Sequence, residues 1–178
     1  MRVNPVPPDD LTPELRALHD GAPKEGQRRI IRVTGHAPEH AERYWPFYNA
    51  VRFDNSLGAR LNELIRVAAA STTECDVCLG SQRDGDGADV GSAGQKLDAS
   101  ADGRTEAERL VIAYVTLLGT DHLAIDETMF IGLHEHFSER EIVEISMLAT
   151  QFIAMGRLSA VLQLEELVCE LRPRDVAV

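Results

Sequence analysis

The stretch GARLNELIRVAAAS, residues 58–71, decides the fold class. Its apolar residues recur at steps of three and four, which predicts a helix with one face toward a core. They are Leu61, Leu64, Ile65, Ala68 and Ala69. The helix is expected to start around Leu57-Gly58-Ala59 and to run to about Ser71, where the run Ser71-Thr72-Thr73 is expected to break it.

Helical patterns both precede and follow this stretch. Thr12-Pro13-Glu14 is typical of a helix N-terminus, and residues 27–33 and 37–53 continue the pattern. Thr105 to Glu108 and Ser138 to Glu141 each start a further helix, the second with a capping box. A shorter helix is expected over residues 126–136. No segment alternates with a period of two, so the sequence predicts an all-α bundle of about seven or eight helices.

The length of 178 residues fits one domain. Four prolines in residues 1–13 predict an extended N-terminal arm, and residues 14–178 are expected to form a single all-α domain. Residues 84–103 are rich in Gly and Asp, which predicts a loop.

Charge and hydropathy exclude several classes of partner. The formal net charge is 18 − 29 = −11, which disfavours binding to nucleic acid or to an anionic membrane surface. We see no apolar run near the roughly 20 residues that span a bilayer. The first ten residues lack the apolar region of a secretory signal, so we expect a cytoplasmic protein.

The cysteines carry the strongest chemical signal. Cys75 and Cys78 form a Cys-x-x-Cys pair, and Cys169 is expected to pack along the apolar side of a C-terminal helix. A zinc site would need further ligands, and two inert packed thiols remain an alternative. The third reading is a redox dithiol, because residues i and i+3 share one side of a helix. The acids Glu74 and Asp76 would oppose a stable thiolate there.

Other residues that could form sites are weaker candidates. His134 and His136 point to different sides of a helix, and His36 and His40 have no obvious acidic partner, so we expect no metal site. No bound cofactor is expected either. Trp45, with Tyr44 and Tyr48, is expected to be core or a subunit contact.

The pattern Glu63-x11-Cys75-x2-Cys78 resembles the carboxymuconolactone decarboxylase family, and within it the alkylhydroperoxidase D-like branch. Cys78-Leu79-Gly80-Ser81 and residues 137–144 add to the resemblance, which covers roughly residues 40–165. One position differs. The branch has a histidine four residues after the second cysteine, where this chain has Gln82.

The resemblance implies a helical fold, a homo-oligomer (dimer, trimer or hexamer) and a thiol-dependent reduction of hydroperoxide or disulfide. It further implies a dithiol electron donor of the lipoamide or thioredoxin kind. Cys78 would attack the peroxide, Cys75 would resolve the sulfenic acid, and Glu63 would accept a proton, directly or through water held by Gln82. A cysteine at a helix N-terminus would favour Cys75 as the attacking thiol instead, so the order stays open.

Gln82 cannot accept a proton near neutral pH, so efficient peroxidase turnover is in question. The alternatives are a non-enzymatic or redox-sensing protein that has lost the proton relay and, less favoured, a decarboxylase or lactone-type enzyme. Glu63 could also be an ordinary exposed helix glutamate.

Overall fold

The computed structural model describes residues 1–73 and 103–164. This part of the chain contains seven α-helices, two 3₁₀ turns and no strand, which confirms the predicted all-α class. The helices are α1 (Pro13–Gly21), α2 (Glu25–Thr34), α3 (Pro38–Phe53), α4 (Gly58–Thr73), α5 (Glu106–Thr120), α6 (Glu127–His136) and α7 (Glu139–Leu162).

Side-chain caps fix the starts of four helices where the sequence predicts them. The Thr12 hydroxyl accepts from the backbone N–H of Leu15 at the start of α1, and Asp126 caps α6 in the same way. Thr105 and Ser138 each form a full capping box with the glutamate three residues later. These bonds satisfy backbone donors that a helix N-terminus otherwise leaves free, so the boundaries are set locally.

The end of α4 corrects one prediction. Ser71-Thr72-Thr73 does not break the helix, which continues through Thr73. Each of the three hydroxyls donates to a backbone carbonyl of the preceding turn: Ser71 to Val67, Thr72 to Ala69 and Thr73 to Ala70. These hydroxyls therefore bond to carbonyls within the helix and do not draw the backbone into a turn outside it.

Helix α4 is the central element of the bundle. The sequence predicts one core-facing stripe, but eight consecutive residues, 63–70, are buried. Helices α5 and α7 both pack against α4, so no side of this segment faces solvent. Its run of alanines lets the neighbouring backbones approach closely, and charged residues within the run are enclosed along with the apolar ones.

Two hydrophobic clusters divide the described core. The larger one lies among α4–α7, and the smaller one joins α1–α3 around Leu15, Ile31 and Trp45. The Trp45 side chain is only 7% exposed, and its ring packs edge-on against Tyr44 and Tyr48. Trp45 is therefore core, which is one of the two alternatives expected from the sequence, and Tyr44 and Tyr48 are partly buried beside it.

The N-terminal segment runs extended apart from one 3₁₀ turn, Pro8–Asp10. Its backbone bonds to two helices, since the N–H of Arg2 donates to the Leu162 carbonyl and that of Val6 to the Arg32 carbonyl. The Arg2 side chain also donates to the Val161 carbonyl. The segment therefore satisfies carbonyls at the end of α7.

Helix α7 bears on the expectation that no apolar run approaches the length of a membrane span. By length and composition alone, its 24 residues could cross a bilayer. However, 44% of its most apolar window is buried inside the protein, and α7 packs on α3, α4, α5 and α6. A core helix can meet the same criteria of length and composition.

Candidate functional site

A cavity of about 230 Å³ lies where the end of α3, the start of α4 and the middle of α7 meet. Polar and aromatic side chains from all three helices and the α3–α4 connection line it. The lining residues are Arg52, Phe53, Asn55, Gly58, Ala59, Asn62, Glu63, Arg66, Leu148 and Phe152. It therefore contains Glu63, the one predicted site residue that falls in the described part of the chain.

Glu63 forms a buried ion pair with Arg66 in the wall of this cavity. The Arg66 Nε lies 2.9 Å from both carboxylate oxygens, and Nη2 also donates to Oε1. The two side chains are 7% and 1% exposed. The alternative that Glu63 is an exposed helix glutamate is therefore wrong.

Burial of two charges is tolerated here because each neutralises the other and the bonds use both carboxylate oxygens. The spacing of three residues places both side chains on one side of α4. The sequence analysis missed Arg66. Its signal was a pair of opposite charges three apart inside an otherwise apolar run.

The amides of Asn55 and Asn62 hold the start of α4 against the end of α3. Asn55 Nδ2 donates to Asn62 Oδ1 at 2.7 Å, and Asn62 Nδ2 donates back to Asn55 Oδ1 at 2.9 Å. Asn55 Nδ2 also donates to the Val51 carbonyl, which anchors the connection to α3. This closed pair fixes the side of α4 that carries Glu63.

Arg52 is the second cation of the cavity wall, and the sequence analysis missed it too. Its guanidinium carbon lies 5.0 Å from the centre of the Phe53 ring and 5.4 Å from that of Phe152. Its Nη1 donates to the Tyr48 hydroxyl at 3.3 Å. Phe152 is remote from Arg52 in the sequence, so no local pattern indicates this contact.

The C-terminal end of α4 is held by two glycines. A methyl group at Gly119 of α5 would lie 2.7 Å from Thr72 Cβ, and one at Gly156 of α7 would lie 3.0 Å from Thr73 Cβ and nearer still to Thr73 Oγ1. Real Cβ contacts essentially never fall below 3.0 Å, so these glycines permit the close approach. The Arg157 guanidinium donates to the Gly119 carbonyl beside them. The position of Thr73, the last described residue before Cys75, is therefore fixed by packing.

The other predicted site residues lie outside the described residues. These are Cys75, Cys78 and Gln82; Cys169 and the predicted loop at 84–103 fall there as well, except for Gly103. Within residues 1–73 and 103–164, no three His, Cys, Asp or Glu side chains are grouped as metal ligands would be. Of the four predicted site residues, only Glu63 can thus be placed.

A second, larger cavity of about 280 Å³ lies on another side of the α4 start and includes Arg60, Glu108 and Phe137 in its wall. Arg60 Nε donates to Glu108 Oε1 at 2.5 Å. This hydrogen bond holds the pKa of Glu108 below its ordinary value of 4.5. The pair joins α4 to α5, and none of the predicted site residues lines this cavity.

Comparison with known proteins supports the fold. No protein-family model and no curated protein matches the chain. Among solved structures, it is similar to one described as an alkylhydroperoxidase AhpD core, an uncharacterized peroxidase-related protein from Ralstonia eutropha JMP134. The identity is 16% and the TM-score 0.67, over 98% of this chain and 92% of that one. The chain thus has the alkylhydroperoxidase D-like helical fold that the sequence resemblance implied.

Proposed function

We propose that the chain is a cytoplasmic thiol-dependent peroxidase or disulfide oxidoreductase that uses Cys75 and Cys78. The observation that carries the proposal is Glu63, buried in a cavity wall at the position where the resemblance expects a proton acceptor. Ten residues further along, Thr73 is the last described residue of α4, and Cys75 follows it by two positions in the sequence. The proposed base therefore lies on the helix that precedes the dithiol in the sequence.

The proposed reaction oxidises the two cysteines in two steps. One thiolate attacks a hydroperoxide oxygen, which gives a sulfenic acid and an alcohol once the leaving oxygen takes a proton. The second thiol condenses with the sulfenic acid and releases water, so a Cys75–Cys78 disulfide forms. A dithiol donor of the lipoamide or thioredoxin kind then reduces this disulfide and is itself oxidised. Glu63 accepts the proton of the attacking thiol.

Peroxide treatment followed by mass spectrometry tests the dithiol. We expect loss of two hydrogens and a Cys75–Cys78 disulfide, and we expect Cys78→Ser to abolish turnover. Absence of the disulfide, or full turnover in Cys78→Ser, would refute the proposal. Native mass spectrometry tests the accompanying proposal of a homo-oligomer, which a monomer would contradict.

Glu63→Gln tests the proton acceptor. A general base contributes about 10²–10⁴-fold, so peroxidase turnover should fall by a large part of that factor. Glu135→Gln is the matched control, because Glu135 is an exposed glutamate on α6 outside the cavity. Equal turnover in the two variants would exclude Glu63 as the base.

A redox-sensing protein without efficient turnover is the second candidate. It is favoured by the Arg66 bonds to both oxygens of Glu63, because both oxygens already have a hydrogen-bond partner within the helix. Gln82→His separates the two functions. A large gain in peroxidase rate would identify a weakened enzyme, whereas an unchanged low rate with reversible disulfide formation would favour the sensor.

A further inference from the structure

Arg52 differs from the other cation of the cavity in having no carboxylate partner among residues 1–73 and 103–164. In the part of the chain that the structure describes, its guanidinium contacts the Tyr48 hydroxyl and the faces of two phenylalanine rings. Arg66, by contrast, is bonded to Glu63. Aromatic faces hold a guanidinium in place without neutralising its charge. Arg52 therefore presents a positioned positive charge at the cavity.

The cavity has the opposite charge to the whole chain. Its described lining residues include two arginines and one glutamate, a sum of +2 − 1 = +1, whereas the chain carries −11. A cleft whose charge differs from its surroundings concentrates ions of the opposite sign. A positive cavity in so acidic a protein favours an anionic ligand.

The remaining lining residues define the rest of this ligand. Phe53, Phe152 and Leu148 supply apolar surface. The amides of Asn55 and Asn62 already bond to each other, so the guanidinium is the group that can fix an anion. A planar guanidinium pairs best with a carboxylate, through two parallel hydrogen bonds. The volume of about 230 Å³ is below the roughly 300–1,000 Å³ of drug-sized sites, so the ligand must be small.

We propose that this cavity binds a small organic carboxylate, whose anion pairs with Arg52 and whose apolar body lies against Phe53, Phe152 and Leu148. As a binding site, the cavity does not depend on redox chemistry. The identification of this acid as the substrate, an acid-bearing hydroperoxide, rests on the proposed function.

Benzoate is the probe, and benzamide is its neutral analogue of the same shape. Calorimetric titration should show saturable benzoate binding to the wild type and much weaker binding of benzamide. In Arg52→Gln, benzoate affinity should fall at least about tenfold, because a charge-assisted bidentate pair is lost. Arg43→Gln is the matched control. Arg43 lies exposed on the same helix, donates to the Glu39 carbonyl and does not line the cavity, so this variant should bind benzoate like the wild type.

Three outcomes would overturn the proposal. Benzoate could bind the wild type and Arg52→Gln with equal affinity, or the wild type could bind benzamide and benzoate equally. The third is that benzoate shows no saturable binding at concentrations up to about 10 mM, which is tenfold above a Kd of about 1 mM. Thermal unfolding checks that each variant is folded. If Arg52→Gln does not fold, Arg52→Lys, which keeps the charge and loses the planar fork, should still weaken binding, and wild-type affinity in it would refute the proposal.

The double variant Cys75→Ser/Cys78→Ser separates this proposal from the proposed function. We expect it to bind benzoate like the wild type while it forms no disulfide. A wild-type protein that binds benzoate but shows no thiol chemistry would refute the proposed function alone. A protein with peroxidase activity and no benzoate binding would refute the carboxylate site alone.

Discussion

Helices α3 and α4 are each 16 residues long and follow one another in the chain, yet they contribute to the core in different ways. Helix α3 buries two residues, Ala41 and Trp45, and its large aromatic side chains fill the space beside α1 and α2. Helix α4 buries eight consecutive residues, most of them small or aliphatic, together with an ion pair. The first helix is thus held by large side chains and the second by close backbone approach.

The difference indicates where the chain tolerates change. A large aromatic core can be repacked around a related ring, whereas closely packed backbones leave no room for added atoms. A buried ion pair tolerates substitution even less, because removing one partner leaves the other charge buried with neither a counter-ion nor water around it. The helix with the candidate functional residue is therefore also the helix with the strictest packing.

The largest expected effect is that of Arg66→Leu, which leaves the Glu63 carboxylate buried without its partner. Breaking a buried pair typically costs about 3–5 kcal/mol, so the free energy of unfolding should fall by about that amount. Urea titration measures it. On α3, the control Arg43→Leu alters an exposed side chain and should stay within about 0.5 kcal/mol. Equal losses of unfolding free energy in the two variants would contradict the stricter packing assigned to α4.

A double variant sharpens the same prediction. Glu63→Met combined with Arg66→Leu removes both charges and leaves side chains of similar length. Replacing a whole buried pair by apolar residues is often neutral or stabilising. The double variant should therefore recover most of the stability that Arg66→Leu loses. If its loss of unfolding free energy equalled the sum of the losses in Glu63→Met and Arg66→Leu, the two residues would not interact directly.

The second effect concerns the glycines at the end of α4. Gly119→Ala and Gly156→Ala place a methyl group against Thr72 and Thr73, and overpacking of this kind typically costs about 1–3 kcal/mol. Thermal unfolding measures the loss. Gly21→Ala, at the end of α1, is the control, because a methyl group there meets nothing within 4 Å. Equal unfolding temperatures for all three variants would show that α4 is not closely packed.

A smaller effect is expected in the aromatic core of α3. Trp45→Phe keeps most of the buried ring but removes the hydrogen bond from Trp45 Nε1 to Thr34 Oγ1, which is 3.1 Å long. A bond of this kind contributes about 0.5–1.5 kcal/mol. Phe47→Leu changes an exposed side chain of the same helix and serves as the control. If Trp45→Phe cost more than Gly156→Ala, the aromatic core would be the less tolerant one.

The smallest effect is a pH dependence at the start of α4, where Arg60 holds the pKa of Glu108 below 4.5. Because the folded pKa is the lower one, this contribution to stability is present above pH 4.5 and is lost as pH falls through the folded pKa. Glu108→Gln should therefore lose stability at neutral pH and less in acid. Urea titrations at both pH values measure this. Glu106→Gln, an exposed neighbour, should show no such difference.

The helices could be predicted because their information is local. Periodicity defined the elements, and caps such as Thr105 and Ser138 marked their starts. The continuation of α4 through Thr73 could not be predicted, since the glycines against which Thr72 and Thr73 pack are far away in the sequence. Glu63 was identified through a family resemblance. Arg66 had a local signal that was overlooked, whereas Arg52 depends on Phe152, which only the folded chain brings near.

The glycine contacts at the end of α4 also restrict how this helix can move. Thr72 and Thr73 lie against Gly119 and Gly156, and a slide by one turn, about 5.4 Å, would drive them into neighbouring residues that have side chains. Sliding along the helix axis is thus blocked. A structural change that displaces Thr73 would therefore have to move α4 together with the α5 and α7 helices that pack against it.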